Sequence, residues 1–264
     1  MKLQAKKSLG QHFLNSPHVL SQIIDAGEIK SGENVLEIGP GTGILTRGLL
    51  DSGAKVTAVE KDDRAITILS EKFKVEIEKG QLKLLNSDIL EENASLIPQE
   101  TYKIIANIPY YITGAILEKF LENGNKPQKM VLLVQKEVAD RILAKDGKES
   151  ILSISVKAFG TPKIIAKVPK EAFLPPPTVD SAILAIENIN NSNFGESSLE
   201  VSRFFEIIRA GFAHKRKFLI RNLEVVIEKN KLKNIWSKLK LDEKIRAEDI
   251  SCDKWILIAK EINK

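Results

Sequence analysis

The feature that most constrains this chain is an alternation that begins at Asn34, where short apolar runs of strand length take turns with longer stretches of helical periodicity. Segments 35–38, 56–59, 82–85, 104–106 and 130–134 read as strands, and 44–50, 64–73, 115–121 and 136–143 as helices. Strands separated by a helix cannot close as hairpins. The crossover sets them side by side and parallel, so the pattern predicts an α/β, doubly wound, mostly parallel sheet.

The pattern changes after Ser150. An apolar helix is expected over 151–159, and strands over 163–168 and 181–186 flank the turn Pro175-Pro176-Pro177. Two late strands with a short connection suit an antiparallel edge on the same sheet. Residues 188–198 have the composition of a linker, and beyond them helical spacing returns at 201–212, 218–227 and 255–262. The expected organisation is a large domain over 1–187, a linker over 188–198 and a small helical domain over 199–264.

Several function classes recede on composition. The charged start has no apolar stretch behind it and the longest apolar runs are strand-sized, which points to the cytoplasm and away from a membrane. Cys252 is the sole cysteine, so no internal disulfide forms, and the scattered His12, His18 and His214 give no reason to expect a metal site. The net charge is +5, unevenly placed: residues 199–264 hold 16 Lys and Arg against 10 Asp and Glu. A basic appendage on a near-neutral body suits a polyanionic partner, although lysine-rich helices also serve solubility alone.

The run Val35-Leu36-Glu37-Ile38-Gly39-Pro40-Gly41-Thr42-Gly43 is a strand passing through a glycine turn into a helix. Glycines let the backbone turn sharply and approach a ligand at the carboxyl end of the strand. The spacing is G-x-G-x-G, whereas the dinucleotide fingerprint is G-x-G-x-x-G. S-adenosylmethionine has no phosphate to cradle, and a turn of this kind passes close to its methionine part. Glu60 ends the second strand and can accept both hydroxyls of a ribose. Asp88 follows the third strand and can accept from an adenine amine. Taken singly, Glu60 reads equally as a surface acid and Asp88 as a helix cap. Their order at the ends of successive strands favours the cofactor reading.

Asn107-Ile108-Pro109-Tyr110 follows the fourth strand on the same edge. An adenine amine is a weak nucleophile because its lone pair is delocalised into the ring. The Asn107 side-chain oxygen and the Ile108 carbonyl, both aimed at its N–H groups, would draw the nitrogen toward tetrahedral shape and free that pair. Pro109 fixes the backbone that presents the carbonyl, and Tyr110 offers a face for an extruded base. A bland Asn-Pro turn is the competing reading.

These residues resemble the N-x-P-Y/F signature of amine-directed adenine methyltransferases. Lys7-Ser8-Leu9-Gly10-Gln11-His12-Phe13-Leu14 and Phe173-Leu174-Pro175-Pro176-Pro177-Thr178-Val179-Asp180-Ser181 resemble two further motifs of the ribosomal RNA adenine dimethyltransferases, and the matches run from Lys6 to about Leu223. The resemblance implies a Rossmann-like S-adenosylmethionine-dependent methyltransferase domain with a small C-terminal helical domain. It implies that an N-terminal segment with His12 and Leu14 folds over the cofactor, and that Gly39, Gly41, Glu60, Asp88 and Asn107 make its other contacts. Phe173 matches an aromatic that sandwiches the target base with Tyr110; core packing beside the proline turn is its alternative.

Within the family, Gln11-His12-Phe13-Leu14 and Phe212-Ala213-His214-Lys215-Arg216-Lys217-Phe218-Leu219 look more like the branch that dimethylates two adjacent adenosines in a hairpin near the 3′ end of small-subunit RNA. The rivals are the resistance branch acting on large-subunit RNA and a non-catalytic RNA-binding assembly factor. A monomer acting on ribosomal RNA in the immature small subunit is expected. Lys215, Arg216 and Lys217, with Arg221 shortly after, suit phosphate contact, or else form a solvated face. Neutralising Lys215, Arg216 and Lys217 together is expected to weaken subunit binding and flatten its salt dependence by about 0.7 to 0.9 log unit per lost contact. A salt titration of binding checks this, and an unaltered slope would return the cluster to the solvated reading.

Overall fold

Ser16 starts the first helix: its hydroxyl accepts from the Val19 amide at 3.4 Å, and Pro17, which has no N–H to satisfy, takes the first helical position. The periodicity above did not yield this helix, although the Ser-Pro pair was a usable signal. The computed structural model describes residues 3–6, 9–91, 97–98, 100–122, 125–194 and 198–263. In chain order the elements are β1 (Phe13–Leu14), α1 (Pro17–Gly27), β2 (Asn34–Ile38), α2 (Ile44–Asp51), β3 (Lys55–Glu60), α3 (Asp63–Lys72), α4 (Lys74–Glu78), β4 (Leu82–Asn86) and β5 (Tyr102–Asn107). There follow α5 (Thr113–Glu122), β6 (Lys129–Gln135), α6 (Lys136–Leu143), α7 (Ile151–Lys157), β7 (Thr161–Val168), β8 (Phe173–Leu174) and β9 (Ser181–Glu187). Four helices close the chain: α8 (Ser198–Phe212), α9 (Leu219–Leu223), α10 (Lys229–Leu239) and α11 (Cys252–Ile262).

Seven strands form one sheet in the order β4-β3-β2-β5-β6-β9-β7, and β1 pairs with β8 in a separate two-stranded ribbon. The pairings among β4, β3, β2, β5 and β6 are parallel, as the alternation requires, with Ile38 opposite Val59 and Glu60 opposite Asn86. The two late strands do not sit at the edge in chain order. The last, β9, slots between β6 and β7 and is antiparallel to both. Because β9 runs against its neighbours, the 169–180 loop that precedes it opens at the carboxyl ends of the parallel strands.

Alternate residues of each strand feed opposite faces, so the sheet divides two apolar clusters. One face carries Val35, Val56, Ile105 and Leu133 with α1, α2 and Phe73. The other carries Leu36, Ile104, Leu132 and Leu184 and continues into the C-terminal helices. Phe194, within the segment expected to be a linker, is buried, its ring 5.1 Å from Phe159 and 4.8 Å from Phe204. The helical unit thus shares a core with the sheet. Residues 195–197 of that segment lie outside the described residues. The tail also holds α10, which was not expected, while the helix expected over 218–227 is confined to Leu219–Leu223.

Trp255 is fully buried, and its fit depends on Gly211. A Cβ at Gly211 would stand 2.4 Å from the Trp255 ring and 2.8 Å from Leu219. Gly211→Ala is expected to destabilise the protein by about 1 to 3 kcal/mol through overpacking. Denaturant unfolding measures this, and an unchanged midpoint would show that Trp255 shifts freely.

Candidate active site

Parallel alignment brings the ends of β2, β3, β4 and β5 to one edge, where a cavity of about 170 Å³ is lined by Gly39, Gly41, Glu60, Asp88, Asn107 and Tyr110, with Leu9 to Phe13 as its cover. Gly39, Gly41 and Gly43 have φ of 69°, 55° and 73°, which the glycine turn needs and other residues adopt at a cost. A Cβ at Gly41 would meet the Phe13 ring at 3.0 Å, so the cover lies directly on the turn.

Glu60 is buried and both its oxygens hold the site's backbone: Oε2 accepts from the Gly41 amide at 3.0 Å and Oε1 from the Asp62 amide at 2.9 Å. Burial pushes its carboxyl above the usual carboxylate range, against those two amides. Each oxygen can accept a further bond, so ribose hydroxyls remain within its capacity. Asp88 has a Lys61 ammonium on Oδ2 at 2.6 Å and the Leu90 amide on Oδ1 at 2.9 Å. Burial raises its carboxyl, but Lys61 and Leu90 prevail and hold it below the ordinary value. Beside Glu60, the Arg64 guanidinium on Asp62 draws that carboxyl down to about 2, and Gln11 of the cover donates to the same side chain at 3.0 Å.

The acceptor residues meet the cover at His12. Asn107 donates from Nδ2 to the His12 carbonyl at 3.1 Å; a carbonyl can only accept, so Oδ1 is left to face elsewhere. The His12 ring stacks on Tyr110, with centroids 5.9 Å apart and planes 19° from parallel, and its Nδ1 bonds the Pro175 carbonyl at 2.8 Å. Pro109 and Ile108 line the same cavity, and the Ile108 side chain is buried. Lys7 and Ser8 of the N-terminal motif lie outside the described residues.

Phe173, matched to a ring that sandwiches the base with Tyr110, is 2% exposed, pairs through β8 with Leu14 of β1, and belongs to the core on the α1 side of the sheet. The ring stacked on Tyr110 is His12. Leu14 is likewise buried and lines a small neighbouring cavity beneath the cover.

Lys215, Arg216 and Lys217 lie far along the chain, exposed in the turn between α8 and α9 and without an ion pair among the described residues. Lys215 borders a groove of about 810 Å³ whose lining mixes Arg141 and Lys145 with Glu137, Asp140 and Glu149. Arg221 is committed to Glu224 at 3.0 Å. No helix among the described residues is long and apolar enough to cross a membrane.

Sequence reasoning passed over Glu37. It is 1% exposed beside the glycine turn, neither oxygen has a hydrogen-bond partner, and the neighbouring Thr46 hydroxyl also lacks one. The available signal was an acid inside an otherwise apolar buried strand. Burial pushes its carboxyl up to about 8. An unpartnered buried acid beside a cofactor turn suits a cationic group, such as the ammonium of an amino acid.

A parallel sheet with a glycine turn after its first long strand, carboxylates at the ends of the next two, and an Asn-Ile-Pro-Tyr loop after the fourth defines a Rossmann-like methyltransferase. The description "Ribosomal RNA adenine dimethylase" belongs to the family model that matches residues 2–264, and the chain belongs to that family. It is an S-adenosylmethionine-dependent adenine dimethyltransferase of ribosomal RNA. The ribosomal RNA small subunit methyltransferase A of Dehalococcoides mccartyi is 43% identical over 257 residues, covering 96% of this chain and 87% of the relative. That of Fusobacterium nucleatum is 37% identical, covering 98% of each. Among solved structures, a dimethyladenosine transferase from Plasmodium falciparum superposes with a TM-score of 0.75 at 29% identity, covering 96% of this chain and 98% of the other. The 23S rRNA methyltransferase ErmE has the same TM-score at 23% identity, covering 96% of this chain and all of that one, and shares the fold.

Glu37 makes the unliganded protein lose stability as pH rises from acid to neutral. Its folded-state pKa lies above the value of 4.5 for a free carboxyl, so its contribution is fully present below about pH 4.5 and declines until pH has passed about 8. Glu37→Gln should flatten unfolding free energy against pH across that window, and parallel curves for the two proteins would contradict the assignment.

Proposed function

We propose that this chain dimethylates two adjacent adenosines in a hairpin near the 3′ end of small-subunit ribosomal RNA, acting as a cytoplasmic monomer on the immature subunit. The names of the curated relatives support the small subunit as target, whereas the likeness to the 23S enzyme reaches only the fold. In this reading residues 1–187 carry the chemistry, 188–198 connect, and 199–264 bind RNA through the exposed Lys215, Arg216 and Lys217, with Arg221 alongside.

The cofactor's place fits the residues present. The Gly39 and Gly41 backbone would pass its methionine part, the unpartnered Glu37 suits its ammonium, Glu60 its ribose and Asp88 its adenine amine. His12 and Leu14 belong to the cover. Bound there, S-adenosylmethionine supplies a methyl group carried on a positively charged sulfur.

The observation that carries the reading is the commitment of Asn107 Nδ2 to the His12 carbonyl. It leaves Oδ1 to accept, and Oδ1 with the Ile108 carbonyl would hold both N–H groups of one adenine amine and expose the nitrogen lone pair. Pro109 holds that carbonyl in place, and Tyr110 supplies a stacking face for the base. None of these residues acts as a nucleophile.

Labelled methyl groups should enter small subunits taken from a strain lacking the modification and not large subunits; label in large subunits alone would shift the target to the rival branch. Asn107→Ala should lower the single-turnover rate at saturating S-adenosylmethionine by about 100- to 1000-fold while leaving RNA affinity in place. A folded variant working near the wild-type rate would sink the acceptor role of Asn107.

A further inference from the structure

The nine residues 173–181 form the third motif, whose aromatic Phe173 faces the core and whose Pro175 carbonyl holds the His12 ring. The far end of the motif reaches the site. Ser181 is the first residue of β9, opposite Gln135 at the end of β6 and Val168 at the end of β7. An antiparallel strand starts where its parallel neighbours finish, so Ser181 stands at the edge that carries the cavity. It is fully buried, and its hydroxyl lies 2.6 Å from the hydroxyl of Tyr110.

We propose that Ser181 is a positioning residue for methyl transfer, holding the tip of the Tyr110 ring where the target adenine stacks. A tyrosine ring swings as a whole about its Cα–Cβ bond. Stacking needs the base and ring parallel, and the reacting amine lies several ångströms from the axis of tilt, so a modest tilt carries it off line. The anchor lies at the far tip of the ring, where a given force resists tilting best. Two other contacts hold the near end: Thr113 Oγ1 donates to the Tyr110 carbonyl at 3.0 Å, and the His12 ring lies on the Tyr110 face. His12 itself is held by Pro175 of the same loop at 2.8 Å. One loop thereby fixes both rings, one through a main-chain carbonyl and one through the Ser181 hydroxyl.

The proposal rests on Tyr110 as the stacking wall, and a double-mutant cycle separates the two ideas. Wild type, Ser181→Ala, Tyr110→Phe, the double variant and Tyr110→Ala are compared by single-turnover methyl transfer to small subunits lacking the modification, at saturating S-adenosylmethionine. Ser181→Ala should lower the maximal rate about tenfold, the size of one lost buried hydrogen bond. Half-saturation by subunits and S-adenosylmethionine affinity by calorimetry should stay within about twofold, since phosphate contacts and the cofactor pocket are untouched. Tyr110→Phe deletes the same bond from the other side and should match it, and the double variant should be no slower than either. Tyr110→Phe carries the test alone if Ser181→Ala does not fold. Additive losses, or a Ser181→Ala rate equal to wild type beside an impaired Tyr110→Ala, overturn the positioning role alone. A Tyr110→Ala rate equal to wild type overturns the stacking wall and the positioning role with it.

Discussion

Parallel alignment of β2, β3, β4 and β5 is the constraint on which the rest of this molecule depends. Four strands running one way finish on one edge, and the residues just past their ends, Gly39, Glu60, Asp88 and Asn107, become neighbours although they span most of the first half of the chain. Nothing local to any of them would do this. The crossover helices that enforce the alignment also bury both faces of the sheet, which leaves its carboxyl edge as the place where polar groups can meet a ligand.

That edge is finished from outside the parallel unit. The cover of residues 9–14 is held by Asn107 at its His12 carbonyl, by Asp62 at Gln11, and by the β1–β8 ribbon. The loop at 169–180 comes to the same edge because β9 is inserted against the direction of β6 and β7. Three stretches far apart in sequence thus converge on one pair of rings, His12 and Tyr110. The cavity lining sets Glu60, Asp88 and Asn107 among apolar Ile38, Val59 and Ile89, with the rings of His12 and Tyr110 beside them.

The helical tail is joined to this body by packing as well as by the chain. Phe159, Phe194, Phe204 and Phe205 form one aromatic cluster across the segment that composition marks as a linker. Shared burial of this kind fixes the orientation of the tail, so its exposed cations hold a set direction relative to the cavity.

The sequence by itself determined the alternation, and with it the parallel sheet, because periodicity is a local property of strands and helices. It also placed the glycine turn, Glu60, Asp88 and Asn107 at strand ends, since each follows an apolar run directly. The helices α1 and α10 escaped notice: α1 is signalled by its Ser16-Pro17 start more than by its spacing, and α10 is so rich in lysine that its buried Leu232, Ile235 and Trp236 make a thin stripe. Only the tertiary structure decided the insertion of β9, the inward turn of Phe173, the isolation of Glu37 and the meeting of Ser181 with Tyr110. Strand order, the direction of a side chain in a two-residue ribbon, and the absence of a partner for a buried carboxylate all depend on segments distant in the chain, and no local pattern records them.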